Sequence, residues 1–96
     1  MKTTKELGWV EGDVFVVIGD HHTHPKGLIV ELVKDDNSSC PGYASICGKW
    51  DYSISGGKFS HTSNTNVKRI GHKTDPEVAE KITTLRFSLL IGAQSK

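Results

Sequence analysis

Cysteine, proline and aromatic residues are scarce in this chain, and each scarcity closes off a class of protein. Two cysteines, Cys40 and Cys47, cannot build the multi-bridge framework of a small secreted scaffold. They form no Cys-x-x-Cys pair, so a zinc centre would need both thiolates and two histidines from elsewhere in the chain. The longest apolar runs, at 14–18 and 89–91, fall far short of the roughly 20 residues that span a bilayer. The opening MKTTKELGW has no apolar stretch of the secretion-signal kind. These features lead us to expect a cytoplasmic protein with reduced thiols and no membrane partner. Neither sign of charge dominates: 12 Lys/Arg against 11 Asp/Glu leave a formal charge of +1. No global field therefore draws the chain onto nucleic acid, and only a local basic patch would serve. Nucleophile elbows, P-loops and dinucleotide-binding glycine motifs are absent from the sequence, so neither an enzyme nor a cofactor is expected. The adjacent carboxylates Asp35 and Asp36 lie among turn formers, where Asx-type hydrogen bonds are their simplest use.

Ten glycines, 35% hydrophobic and 24% charged residues in a chain of 96 describe one small, turn-rich, mainly β domain. The boundaries read as an N-terminal arm at 1–11, a β region at 12–70 and a C-terminal helix at 74–91. GDVFVVI at 12–18 has the β-branched and aromatic content of a strand. The polar segment at 19–27, containing Pro25, reads as a loop. LIVELV at 28–33 forms a second strand on which Val30 and Leu32 share one side, and Glu31 marks the other side as the solvent face. KDDNSSCPG at 34–42 is a turn. Residues 43–47 and 50–54 suit a hairpin about Gly48 and Lys49. The stretch at 55–66, nearly without apolar residues, reads as a long loop, and 67–70 as a closing strand. The expected architecture is a small five-stranded barrel or curled antiparallel sheet with an amphipathic helix beside it.

The helix carries the clearest local signals. Thr74 with Glu77 three residues on, and Pro76 early in the turn, satisfy the free amides of a helix start. Val78, Ile82, Leu85 and Leu89 recur at helical spacing and form one apolar stripe. Phe87, Leu90 and Ile91 fall off that stripe. Either the helix simply completes the core, or these residues form a partner or homodimer interface.

Taken together, Gly12, Asp13, Phe15, Val16, Val17 and Ile18, a polar loop, Lys26, Gly27, Ile29, Val30 and Leu32, then Asp35 and Asp36, resemble the small SH3-like barrels encoded by tailed bacteriophages. More distantly they are similar to KOW-type motifs. The resemblance spans about residues 12–70; the helix and the loop at 55–66 lie outside it. It implies an SH3-like barrel and an accessory protein that binds a host or phage macromolecule, inhibiting or redirecting a host factor, rather than a catalyst.

Three residue groups are candidates for binding. His21, His22 and His24 cluster in one loop, and on an extended backbone His22 and His24 project to the same side. Imidazoles of that kind ligate zinc, copper or nickel, with His61 or His72 as a third ligand; otherwise they are solvated loop residues that adjust charge near neutral pH. Lys49, Trp50, Tyr52, Lys58, Phe59, Lys68 and Arg69 interleave stacking surfaces with cations, a pattern suited to nucleic acid, although Trp50 and Phe59 would equally serve as core. Phe87 and Leu90 are the candidates on the helix. The leading expectation is a protein-binding module, ahead of a nucleic-acid-binding one and of metal binding by the histidines.

Overall fold

Side chains alternate between the two faces of a strand, and the computed structural model, which describes residues 2–46 and 59–83, shows both faces of the sheet covered. Strands β1 (Asp13–Val17), β2 (Ile29–Lys34), β3 (Gly42–Ser45), β4 (Phe59–His61) and β5 (Val67–His72) form one antiparallel sheet in the order β4-β3-β2-β1-β5. β4 and β5 are its two ends, so the sheet is open. One face holds Phe15, Val17, Val30, Leu32, Tyr43 and Val67, with Trp9 and Leu28 against them. Its aromatic rings meet edge to face, Trp9 on Phe15 at 4.6 Å and Phe15 on Tyr43 at 5.2 Å between centroids, the geometry that ring quadrupoles favour. The opposite face carries Val14 and Ile46, flanked by Ile29 and Ile70, under Val78 and Ile82 of the chain's second helix, α2 (residues 76–83).

That second covered face corrects the expectation for Glu31. Its partners across the sheet are Val14 and Ala44, and Ala44 in turn faces Phe59. Glu31 therefore belongs to the row lying on the α2 side and is buried there at 4% exposure. Alternation had separated its side from that of Val30 and Leu32 correctly, but both sides are covered.

Two further segments carry structure that the sequence reading did not name. The N-terminal arm is folded: Thr4–Leu7 is a short helix, α1, in which Thr3 and Glu6 make a capping box, and Gly8 ends it in the left-handed conformation. The Thr3 amide and hydroxyl hold the Glu6 carboxyl below its ordinary range. The expected loop at 55–66 contains β4, paired to β3, and a 3₁₀ turn, Asn64–Asn66. The expected hairpin about Gly48 and Lys49 lies outside the described residues.

α2 begins at Pro76 and is helical through 83, with the Ala79 amide donating to the Asp75 carbonyl. Proline at the first helical position and the burial of Val78 and Ile82 agree with the sequence reading. The Thr74 hydroxyl does not cap this helix; it bonds the His72 ring. Leu85 and Leu89 lie outside the described residues. No helix among the described residues is long and apolar enough to cross a membrane.

Two contacts fix how these parts meet. Ile70 is the extra residue of a β-bulge against β1, and Gly71 follows it at φ 153°. A Cβ on Gly71 would sit 2.4 Å from Val78 Cγ2, so glycine lets α2 rest directly on the sheet. On the other face, the buried Tyr43 hydroxyl donates to Asn64 Oδ1 at 2.7 Å, while Asn64 Nδ2 donates to the carbonyls of Lys2 and Ser38. Asn64 thereby ties the N-terminal segment, the β2–β3 loop and the 3₁₀ turn to the core. Burial, reinforced by the Asp35 carboxylate, pushes the Tyr43 phenol well above its ordinary value of 10.0.

Gly71→Ala should destabilise the protein by about 2–4 kcal/mol in equilibrium urea unfolding, combining backbone strain with a clash against Val78. A loss below about 1 kcal/mol would mean that α2 does not rest on Gly71. For Tyr43, the folded state favours the neutral phenol, so its contribution is intact below pH 10.0 and declines as the unfolded chain ionises above that value. Stability should then fall by roughly 1.4 kcal/mol per pH unit from this group, a component missing in Tyr43→Phe. At neutral pH, Tyr43→Phe should itself cost about 1–3 kcal/mol by removing the hydroxyl that serves Asn64 Oδ1.

Candidate functional site

The 19–27 loop folds back on its own histidines. His21 Nδ1 accepts the amides of Thr23 and His24, which places the ring proton on Nε2. The ring stacks on His22 at 4.4 Å and on His24 at 5.6 Å between centroids. His22 is exposed and His24 fully buried, so the two do not share a side as the extended-chain argument expects; the bend at 22–24 turns them apart. His72 does not join them, because its Nδ1 accepts the Thr74 amide and its Nε2 lies 3.2 Å from the Glu11 carbonyl. His61 is on β4 beside Phe59. Among the described residues no group of three or more His, Cys, Asp or Glu side chains is arranged to hold a metal ion.

Of the aromatic and basic set, Lys49, Trp50, Tyr52 and Lys58 lie outside the described residues, as do Phe87 and Leu90 of the helix; Phe59, Lys68 and Arg69 are described. Phe59 is not core. It is 42% exposed, with its ring seated over Gly42, where a Cβ would come within 2.6 Å of Phe59 Cζ. Lys34 Nζ stands 5.4 Å from the ring centroid, and His61 meets the ring edge to face. Sequence reading overlooked Lys34 and Gly42; the short, polar β4 offers no periodicity that would align Phe59 with them.

Arg69 is committed elsewhere. Its Nη2 donates to Asp13 Oδ1 at 3.1 Å, and the other carboxylate oxygen of this buried aspartate accepts the Val10 amide. Asp13 pushes the guanidinium further above its ordinary value. Lys73 is committed in the same manner, with Nζ 3.5 Å from the buried Glu31 carboxylate. Lys68 is exposed on β5.

A groove of about 700 Å³ opens where the start of β1, β2 and the β5–α2 turn converge, and Glu11, Gly12, Glu31, Val33, Lys73 and Thr74 line it together with Leu32. Glu11 Oε2 accepts the Asp35 amide, while the Asp35 carboxylate accepts the Thr4 hydroxyl and the Asn37 amide. The Ser38 hydroxyl and amide hold the Asp36 carboxyl below its ordinary range. The described residues thus present an exposed aromatic ring packed on the Gly42 backbone and a groove lined by Glu11, Glu31 and Lys73 beside α2.

Arg69→Met should leave Asp13 buried without its cation. Because the guanidinium is 43% exposed, the expected loss is about 1–3 kcal/mol, less than for a fully buried pair. Chemical denaturation checks this, and unchanged stability would reduce the pair to a surface contact. Comparison with known proteins returned no relative: no protein-family description, no curated protein and no solved structure matches this chain.

Proposed function

We propose that this protein is a non-enzymatic module that binds another protein, with Phe59 as an apolar anchor of the contact. The observation that carries the reading is the state of the Phe59 side chain. It is a large apolar ring, 42% exposed, seated on the Gly42 backbone with Lys34 and His61 at its borders. A ring held this way loses little freedom on binding, and aromatic side chains with cationic neighbours are frequent centres of protein contacts. The SH3-like form of the domain belongs to the same proposal. It is supported by an antiparallel order that places β1 between β2 and β5, and by the 3₁₀ turn that leads into β5. The role of a phage-type accessory protein that inhibits or redirects a host factor rests on the sequence resemblance.

One observation favours a KOW-like nucleic-acid module instead, since an exposed ring between Lys34 and His61 also suits base stacking. A phosphate track needs several unengaged Lys or Arg side chains; Arg69 and Lys73 are withdrawn from it by Asp13 and Glu31, while Lys68 is exposed.

Affinity capture from nuclease-treated lysate of the cognate host, run in parallel with wild type and Phe59→Ala, tests the proposal. A stoichiometric protein retained by wild type should bind Phe59→Ala at least about tenfold more weakly, the loss expected of an anchoring aromatic. Equal retention by both forms, or loss of every partner after nuclease, would overturn it. Labelled single-stranded DNA and RNA should bind weakly and with a shallow salt slope; tight binding that weakens steeply with salt would favour the nucleic-acid reading.

A further inference from the structure

Gly42 leaves a gap in the sheet that two neighbouring side chains use. Lys34, Gly42 and His61 are paired across β2, β3 and β4 and form one row of the sheet. With only hydrogen on Gly42, the Phe59 ring lies over its backbone: a Cβ there would come within 2.6 Å of Phe59 Cζ and 3.0 Å of Lys34 Cβ. The Lys34 ammonium stands over the ring, 5.4 Å from its centroid, a cation–π arrangement that restricts where an exposed, long side chain places its charge. His61 meets the ring edge to face at 5.6 Å between centroids. Among the described residues Lys34 has no carboxylate partner, unlike Arg69 and Lys73, which answer Asp13 and Glu31. The nearby Asp36 carboxylate is held by the Ser38 amide and hydroxyl, and its field reaches the His61 ring.

We propose that Phe59 and Lys34 together receive a segment of the protein partner in which a carboxylate side chain adjoins an apolar one, the carboxylate accepting from Lys34 and the apolar group covering the ring. The inference rests on the reading of Phe59 as an anchor and adds what the partner carries. An apolar side chain answers a ring that is 42% exposed. A carboxylate answers an ammonium that stands beside that ring with no acid of its own. Because the ring already confines the ammonium, the ion pair forms with less loss of side-chain freedom than it would on an unsupported lysine. A single carboxylate suits the patch better than a chain of phosphates, since Asp36 sets a negative charge beside His61 and repels a polyanion continued past Lys34.

Capped pentapeptides are the probes: Gly-Leu-Glu-Leu-Gly, the same peptide with glutamine or lysine at its centre, and Gly-Gly-Glu-Gly-Gly. Each is titrated into the full ¹⁵N-labelled chain at low salt and followed by amide shifts. Gly-Leu-Glu-Leu-Gly should bind saturably, with shifts concentrated at Lys34, Gly42, Phe59 and His61. The glutamine peptide should bind about threefold more weakly, the size of an exposed ion pair, and the lysine and Gly-Gly-Glu-Gly-Gly peptides more weakly still. Lys34→Met keeps the apolar stem and should erase the difference between the glutamate and glutamine peptides, whereas Lys34→Arg should preserve it. Equal binding of those two peptides by the wild type, a difference that survives in Lys34→Met, no saturable binding of any peptide, or tighter binding of a single-stranded oligonucleotide at the same amides would overturn the proposal. Loss of peptide binding in Phe59→Ala, without a glutamate preference in the wild type, overturns the carboxylate alone. Unchanged binding of the glutamate peptide by Phe59→Ala overturns the anchor reading beneath it.

Discussion

The start of β1 and the end of β5 are bound to each other by contacts that the chain must close over 56 to 61 residues. Arg69 reaches Asp13, the His72 ring reaches the Glu11 carbonyl, and the Lys73 amide reaches the Gly12 carbonyl. Each contact alone would repay little of the entropy lost in closing so long a loop. Formed together along one register, they repay it once. Position and direction then follow for much else. The bulge at Ile70 brings Gly71 beneath Val78, α2 leaves the junction lying across one sheet face, and Lys73 arrives beside Glu31.

Covering both sheet faces has an electrostatic consequence. A sheet with one wet face would leave Glu31 in water, where its charge costs nothing. With α2 over the second face, Glu31 is enclosed, and Asp13 is enclosed where the N-terminal segment turns into β1. Buried carboxylates require cations, and the structure supplies Lys73 and Arg69 from the same short stretch of chain. Those two positive charges serve the fold first, which removes them from any surface that would track phosphates. Among the described residues, the exposed features include an aromatic ring over Gly42, bordered by Lys34 and His61, and a groove lined by Glu11, Glu31 and Lys73.

Some of this was legible in the chain and some was present but hidden by context. Thr3 with Glu6 is the same capping pattern as Thr74 with Glu77, yet only the first pair forms a box; the Thr74 hydroxyl is taken by His72, a residue placed by strand pairing. β4 could not be recognised because Phe59, Ser60 and His61 have no alternation of their own, and the register comes from β3 opposite. The histidine loop misled for a similar reason: equal spacing on an extended backbone does not survive a bend in which the His21 ring accepts the Thr23 and His24 amides.

By itself the sequence determined the two strands read at 12–18 and 28–33, found at 13–17 and 29–34, the turn after each, and a helix beginning near Pro76, because β-branched alternation, turn residues and a proline at the first helical position act over a few neighbouring residues. Tertiary structure alone decided that both faces of the sheet are covered, that Glu31 and Asp13 take Lys73 and Arg69 as partners, and that Phe59 stays at the surface. Alternation says only that a strand has two sides. Which side is buried, and which charge must be answered there, depends on what another part of the chain brings across the sheet.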